Sequence, residues 1–257
     1  MGVGRAANES ARTILVTGAG RGIGAAIATR CAAAGLQVVV NYLNNHDAAR
    51  ETLRRVEAAG GDGILIQADV REEGDVRRLV KSATDAYGGI DALVNNAHTP
   101  FAPATMPEVE WPEVQAQIDG TLRSAFLCTK AALPFLRVGA APAILNVSSV
   151  TVAVPASGFL CRDVAKAALE GLTRSVAHEL APLGIRVNAL SAGWTETDQL
   201  KSMPAATRES ARGSIPLRRF ADPTEIAEAA LFLISPRSSY LTGTVFPASG
   251  GLAPAFR

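Results

Sequence analysis

Thr17-Gly18-Ala19-Gly20-Arg21-Gly22-Ile23-Gly24 is the stretch on which the fold of this chain turns. It follows Thr13-Ile14-Leu15-Val16, an apolar run that reads as a buried strand, and precedes Ala25 to Ala34, an alanine-rich segment that reads as a helix. A strand, a glycine turn and a helix in that order make a dinucleotide-phosphate site. The glycines let the backbone turn tightly and let a pyrophosphate come close. The helix behind them offers free N–H groups and a partial positive charge.

The same alternation continues outward. Leu36 to Tyr42, Gly63 to Ala68, Ala92 to Val94, Ala143 to Val147, Ile185 to Leu190 and Thr244 to Phe246 read as further strands. His46 to Gly60, Glu72 to Tyr87, Glu110 to Arg137 (with an interruption near Pro134), Phe159 to Leu180 and Pro223 to Ile234 read as helices. In the helix from Phe159, Val164, Ala168, Leu172, Val176 and Leu180 recur every four residues, and Pro182 and Gly184 end it. Residues 192–219 read as polar and irregular, with at most a short helix. No linker or break of composition divides the chain. The pattern predicts one α/β domain over 1–257, a doubly wound parallel seven-stranded sheet with helices on both faces. Ligands of such sheets sit beyond the carboxyl ends of the strands, where the Gly18 loop, Asp69, Asn95, Ser149 and Gly193 all fall.

Composition narrows the function. The chain has 257 residues, 48% of them hydrophobic, enough for one large core. A net charge of +1 leaves no electrostatic footprint for nucleic acid or a membrane surface, and no apolar run approaches the ~20 residues of a membrane span. Met1 to Arg12 lacks an apolar signal core, so a cytoplasmic protein is expected. Cys31, Cys128 and Cys161 have no metal-ligand spacing and read as reduced thiols; no metal site is expected.

Ordered landmarks run from 13 to 251: Thr17, Gly18, Gly22 and Gly24, then Asp69-Val70, Asn95-Asn96-Ala97, Ser149, Lys166, Val187-Asn188, Gly193, Thr197, Leu241-Thr242-Gly243 and Gly250-Gly251. On these the chain resembles the short-chain dehydrogenase/reductase family in its single-domain form, and its 3-oxoacyl-[acyl-carrier-protein] reductase branch in particular. The resemblance implies a Rossmann fold and a nicotinamide dinucleotide. It places Gly18, Gly20, Arg21, Gly22, Ile23 and Gly24 at the pyrophosphate, Asp69 with Val70 at the adenine, and Asn96, Lys166, Gly193, Thr195 and Thr197 among the cofactor contacts. It implies a carbonyl substrate, small or acyl-carrier-bound, and a substrate lid at about 192–219. It also implies a homotetramer, or a heterotetramer with an intact relative. Asn41 stands where NAD-specific relatives carry an acid that binds the ribose 2′-hydroxyl. With Arg21 present and no acid there, NADP(H) is expected over NAD(H).

The family's catalytic set is asparagine, serine, tyrosine and lysine. Ser149 and Lys166 match, but the tyrosine belongs four residues before Lys166, and Arg162 stands there. The chain's tyrosines are Tyr42, Tyr87 and Tyr240, none near this segment. The asparagine position aligns on Thr121. His98 replaces the glycine that usually ends the Asn-Asn-Ala motif, and Ala192 the proline that usually precedes Gly193. Arginine stays protonated and cannot donate the proton that tyrosine gives, but its guanidinium can hold a developing oxyanion. His98 is a titratable candidate for proton work or a plain loop residue. Cys161, beside Arg162, is a candidate thiolate or an inert thiol. Trp194 and Met203 suggest an apolar substrate wall. Three readings stand: an NADP(H)-binding enzyme with a non-standard site (Ser149, Arg162, Lys166, Thr121, His98), a pseudoenzyme subunit supporting an intact paralogue, and a cofactor-binding sensor or scaffold.

Overall fold

The computed structural model describes residues 11–253; the ends of the expected 1–257 domain, 1–10 and 254–257, lie outside the described residues. Strands β1 (Thr13–Val16), β2 (Gln37–Tyr42), β3 (Gly63–Gln67), β4 (Ala92–Asn95), β5 (Ala143–Ser149), β6 (Arg186–Ala192) and β7 (Val245–Ala248) form one parallel sheet. Its order is β3-β2-β1-β4-β5-β6-β7. The winding reverses between β1 and β4, which opens a crevice at their carboxyl ends.

Helices α1 (Gly22–Ala33), α2 (His46–Ala58), α3 (Glu73–Tyr87), α4 (Trp111–Ile118), α5 (Ser124–Leu136), α6 (Leu160–Leu180), α7 (Asp198–Lys201), α8 (Ala205–Ser214) and α9 (Pro223–Ile234) complete the chain. Side chains alternate across each strand, so two cores form. Ile14, Val16, Val38 and Val40 pack with Ile27 and Cys31 of α1 and Ile226 and Leu233 of α9. Leu15 and Val39 face the other way, onto Leu79 of α3, Cys128 of α5 and Ala177 of α6. Burial on both faces explains why these strands read as continuous apolar runs, and it pins their register.

Three local expectations change. The break in the helix 110–137 is not at Pro134, which sits in the last turn of α5 and forgoes one backbone bond, to the Lys130 carbonyl, without ending the helix. It is a π-helical turn at Asp119–Arg123. There Ser124 Oγ donates to the Gly120 carbonyl at 2.8 Å and approaches that of Thr121 at 3.2 Å, taking up acceptors that the widened turn frees. Gly120 is held hard against the preceding loop: a Cβ there would lie 2.0 Å from Thr99 Oγ1. Second, the segment 192–219 holds two helices, α7 and α8, around a small core of Leu200, Ala211, Ile215 and Phe220. Third, β5 and β6 run two residues further than expected, so Ser149 and Ala192 are paired strand residues.

Candidate active site

The glycine loop is braced from below. Asn96 Nδ2 donates to the carbonyls of Thr17 and Gly18 at 2.9 and 3.0 Å, and Thr17 Oγ1 accepts the N–H groups of Asn96 and Ala97 at 3.0 and 3.1 Å. Gly24 leaves room for this brace, because a Cβ there would lie 2.5 Å from Asn96 Nδ2. Gly18 adopts φ +60, and a Cβ would press on Ala97 Cα at 2.9 Å. Above the brace, α1 starts at Gly22 without a side-chain cap, and Arg21 at its N-cap is exposed, its side chain without a hydrogen bond or ion pair among the described residues. Thr197 comes within 3.6 Å of the Gly22 Cβ direction, which brings the start of 192–219 over the loop. Ile23 packs on the core below. Open helix N–H groups, a free cation and a cradle shaped to exclude side chains fit a dinucleotide phosphate.

Several expected cofactor residues are placed differently. Asn41 is turned into the protein. It is buried and straps the loop, accepting from Gly18 N at 3.2 Å and donating to the carbonyls of Ala68 at 3.1 Å and Ile66 at 3.3 Å. The residue beside the loop at the end of β2 is Tyr42, whose Cβ lies 3.4 Å from the Gly20 Cβ direction and whose hydroxyl meets His46 Nδ1 at 2.6 Å. Neither is an acid. Asp69 sits at the strand end, with both carboxylate oxygens on the Arg71 guanidinium at 2.6–3.1 Å. That pairing holds its carboxyl below the ordinary value. Val70 is buried in the second core. Gly193 passes under β7, its N–H donating to Ala248 O at 2.9 Å, and Thr195 Oγ1 turns back to the Gly193 carbonyl at 2.9 Å.

At the carboxyl end of β5 the structure brings Ser149, Arg162 and Lys166 together. Arg162 Nη1 donates to Ser149 Oγ at 2.9 Å, and its guanidinium carbon lies 5.8 Å from the centre of the Phe101 ring. Arg162 Nε is buried with no hydrogen-bond partner among the described residues. Lys166, one helical turn on, is buried and donates from Nζ to Val147 O at 2.5 Å. Burial and then the Arg162 charge pull its pKa down to about 7. Thr121 is buried in the π-helical turn, and its hydroxyl has no partner among the described residues. His98, on the loop after β4, keeps solvent exposure, and the protein crowded near its ring and then the charges of Lys166 and Arg162 favour the neutral form. Cys161 does not gain thiolate character, because burial and Glu113 raise its pKa.

Four further residues escaped the sequence reading. Thr151 Oγ1 meets Ser149 Oγ at 2.8 Å and donates to Asp163 Oδ1. Phe159 packs edge-on against Phe101 at 5.3 Å and Trp194 at 5.8 Å, an aromatic wall beside Arg162. Met203, expected in that wall, packs instead on the small core of 192–219. The one available signal was an acid directly after Arg162, at Asp163.

A family model described as enoyl-(acyl carrier protein) reductase matches residues 18–253. The chain is 37% identical over 243 residues to the 3-oxoacyl-[acyl-carrier-protein] reductase FabG of Staphylococcus aureus, covering 94% of this chain and 98% of that protein. It is also 37% identical to 3beta-hydroxysteroid dehydrogenase 1 of Eggerthella lenta, with 96% of each covered. Among solved structures, a short-chain dehydrogenase of Burkholderia cenocepacia in complex with NADP superimposes with a TM-score of 0.87 at 32% identity, covering 95% of this chain and 99% of that one. A fold wound in this order, a braced glycine loop and similarity along almost the full length lead to one conclusion: the chain belongs to the short-chain dehydrogenase/reductase family and is like its 3-oxoacyl-[acyl-carrier-protein] reductases.

Proposed function

We propose that the protein is an NADP(H)-dependent oxidoreductase acting on a ketone or 3-oxoacyl (polyketide-like) carbonyl, free or carried on an acyl carrier, with a non-standard site in which arginine takes the tyrosine position. The observation that carries this is the 2.9 Å bond from Arg162 to Ser149 beside buried Lys166. When bound, the reduced nicotinamide supplies hydride to the carbonyl carbon. Ser149 and Arg162 provide donors for the oxygen on which negative charge grows, and such preorganised donors stabilise the transition state most in a site shielded from water. Gly18 to Gly24 and Arg21 hold the phosphates. Lys166 retains further N–H donors for the nicotinamide ribose, and neutral His98 lines the mouth. Phe101, Phe159 and Trp194 offer an apolar surface to an acyl chain, with 192–219 as the lid.

Support for the cofactor comes from the relative that binds NADP and from the free Arg21 with no acid at Asn41 or Tyr42. No helix among the described residues is long and apolar enough to cross a membrane, in keeping with a cytoplasmic setting. Phe126, exposed on α5, suits a homotetramer packed through this helix. The test is oxidation of NADPH, followed by its absorbance, by the purified protein against a panel of 3-oxoacyl thioesters and simple ketones. Turnover with any of them supports the reading. A second reading, a pseudoenzyme subunit in a heterotetramer with an intact relative, draws on Thr121, whose buried hydroxyl has no partner where the family has its asparagine. NADPH binding without turnover, together with co-purification of an intact paralogue, would favour it.

A further inference from the structure

Beyond Ser149, a chain of hydrogen bonds leads away from the cleft. Ser149 Oγ accepts from Arg162 Nη1 at 2.9 Å and from Thr151 N at 3.3 Å. Thr151 Oγ1 gives its one proton to Asp163 Oδ1. The 2.8 Å contact between the hydroxyls is therefore donated by Ser149 to Thr151. The order Ser149, Thr151, Asp163 is continuous: with Asp163 ionised every proton in it points at the carboxylate, and protonation of Asp163 turns both hydroxyls round so that Ser149 donates into the cleft. Thr151 and Asp163 also line a cavity of about 500 Å³ whose walls include Thr105, Met106 and Gly158 but none of Ser149, Arg162 or Lys166. Met106 at its rim is 71% exposed, so bulk water reaches the cavity. Thr151 and Asp163 thus meet this cavity, and Ser149, Arg162 and Lys166 do not line it.

We propose that Asp163, Thr151 and Ser149 form a proton relay from this second cavity to the carbonyl oxygen, and that the relay takes over the acid role of the missing tyrosine; this rests on the carbonyl-reductase reading above. Reduction leaves the electron pair of the broken C=O π bond on oxygen. That oxygen takes the proton of Ser149 Oγ, Ser149 takes one from Thr151, and Thr151 takes one from the Asp163 carboxyl. Asp163 recovers its proton from water in the cavity. One proton enters and one is consumed, and the reverse order serves alcohol oxidation. Arg162 and Thr151 N, both donating to Ser149 Oγ, steady that oxygen while its proton is away.

Asp163 is suited to the terminal position. Burial raises its carboxyl above the ordinary value, against the Thr151 bond and the Arg162 charge, which act the other way. The other groups around it leave this unchanged in sign. Glu113 of α4 approaches α6 at Cys161, and Glu108 is folded onto Thr105. The 3-10 turn after β5 presents only the hydroxyl of Thr151.

The experiment combines kinetics with a measurement that needs no turnover. In NADPH-dependent reduction of acetoacetyl thioester, Asp163→Asn and Thr151→Val should each lower kcat about 10²-fold while NADPH binding stays intact. Wild-type kcat should fall as pH rises through the Asp163 titration, and both variants should lose that limb. Thr151→Ser, which keeps a hydroxyl, should restore the limb that Thr151→Val loses. In cofactor-free protein, infrared titration of the Asp163 carboxyl should shift in Ser149→Ala, and the shift should vanish when Thr151→Val is added, since the link is cut. An unchanged pH limb in Asp163→Asn overturns the relay, and so does a carboxyl indifferent to Ser149. A wild-type protein inert toward every carbonyl overturns the reductase reading, and the infrared arm then decides the relay by itself.

Discussion

The Arg162 guanidinium donates to Ser149 Oγ from one nitrogen, at 2.9 Å, while its Nε is buried with no acceptor. A buried donor left unpaired costs about 1–3 kcal/mol, so this group gains most when an acceptor enters the cleft. Arg162→Ala should lower kcat roughly 10²–10³-fold, the usual loss on deleting an oxyanion donor, with little change in NADPH affinity. Steady-state kinetics with calorimetry checks both halves; an equal loss in cofactor binding would assign Arg162 to the dinucleotide instead.

Arg162→Tyr should act differently. The change supplies an acid one turn before Lys166 and removes one of the two causes that depress the lysine. Lys166 then charges at higher pH and favours the tyrosinate. Turnover of a simple 3-oxoacyl ester should exceed that of the native protein. Thr121→Asn should add to it by more than an independent contribution if both join one relay. A tyrosine variant slower than Arg162→Ala would contradict this.

Lys166 also leaves a signature in stability. Its pKa is about 7 in the fold and 10.5 as a free lysine, so the unfolded chain binds more protons between those values. Stability of the cofactor-free protein should therefore rise with pH across that window and flatten below it. Lys166→Met should remove the rise. Urea unfolding at a series of pH values reads it directly.

Cofactor choice should follow the loop. Arg21→Ala should cut the preference for NADPH over NADH by about tenfold, the worth of one good charge-assisted contact. Tyr42→Asp, which puts an acid beside Gly20, should favour NADH. Competition titrations with both dinucleotides test this, and indifference to Arg21 would remove the argument.

Asn96 holds the carbonyls of Thr17 and Gly18 from below. Asn96→Ala should cost roughly 1–3 kcal/mol of stability by leaving these acceptors unpaired, and should weaken NADPH binding as the loop loosens. Thermal unfolding with and without NADPH separates the two effects.

The sheet was legible because its central strands are buried on both faces and read as uninterrupted apolar runs, and the glycine loop because its sequence states its geometry. The segment 192–219 was not, because Leu200, Ala211, Ile215 and Phe220 are too sparse to show a period and meet only after folding. Asn41 was assigned to the ribose because position along a strand does not say which way a side chain turns; the pleat turns it inward and leaves Tyr42 beside Gly20. Ser149, Arg162 and Lys166 were found by their match to the family's catalytic pattern. Thr151 and Asp163, twelve residues apart, share no motif and become visible only where α6 packs on the turn after β5.

None of the residues around the cavity at Asp163 belongs to the segment 192–219, which is proposed to cover the substrate. An enzyme with a single mouth must open it both to release product and to reload its acid. In the proposed relay the two errands use separate doors. A bulky product lingering under the lid would not keep the acid from recharging, so reloading of the proton and exit of the product overlap in time instead of following one another.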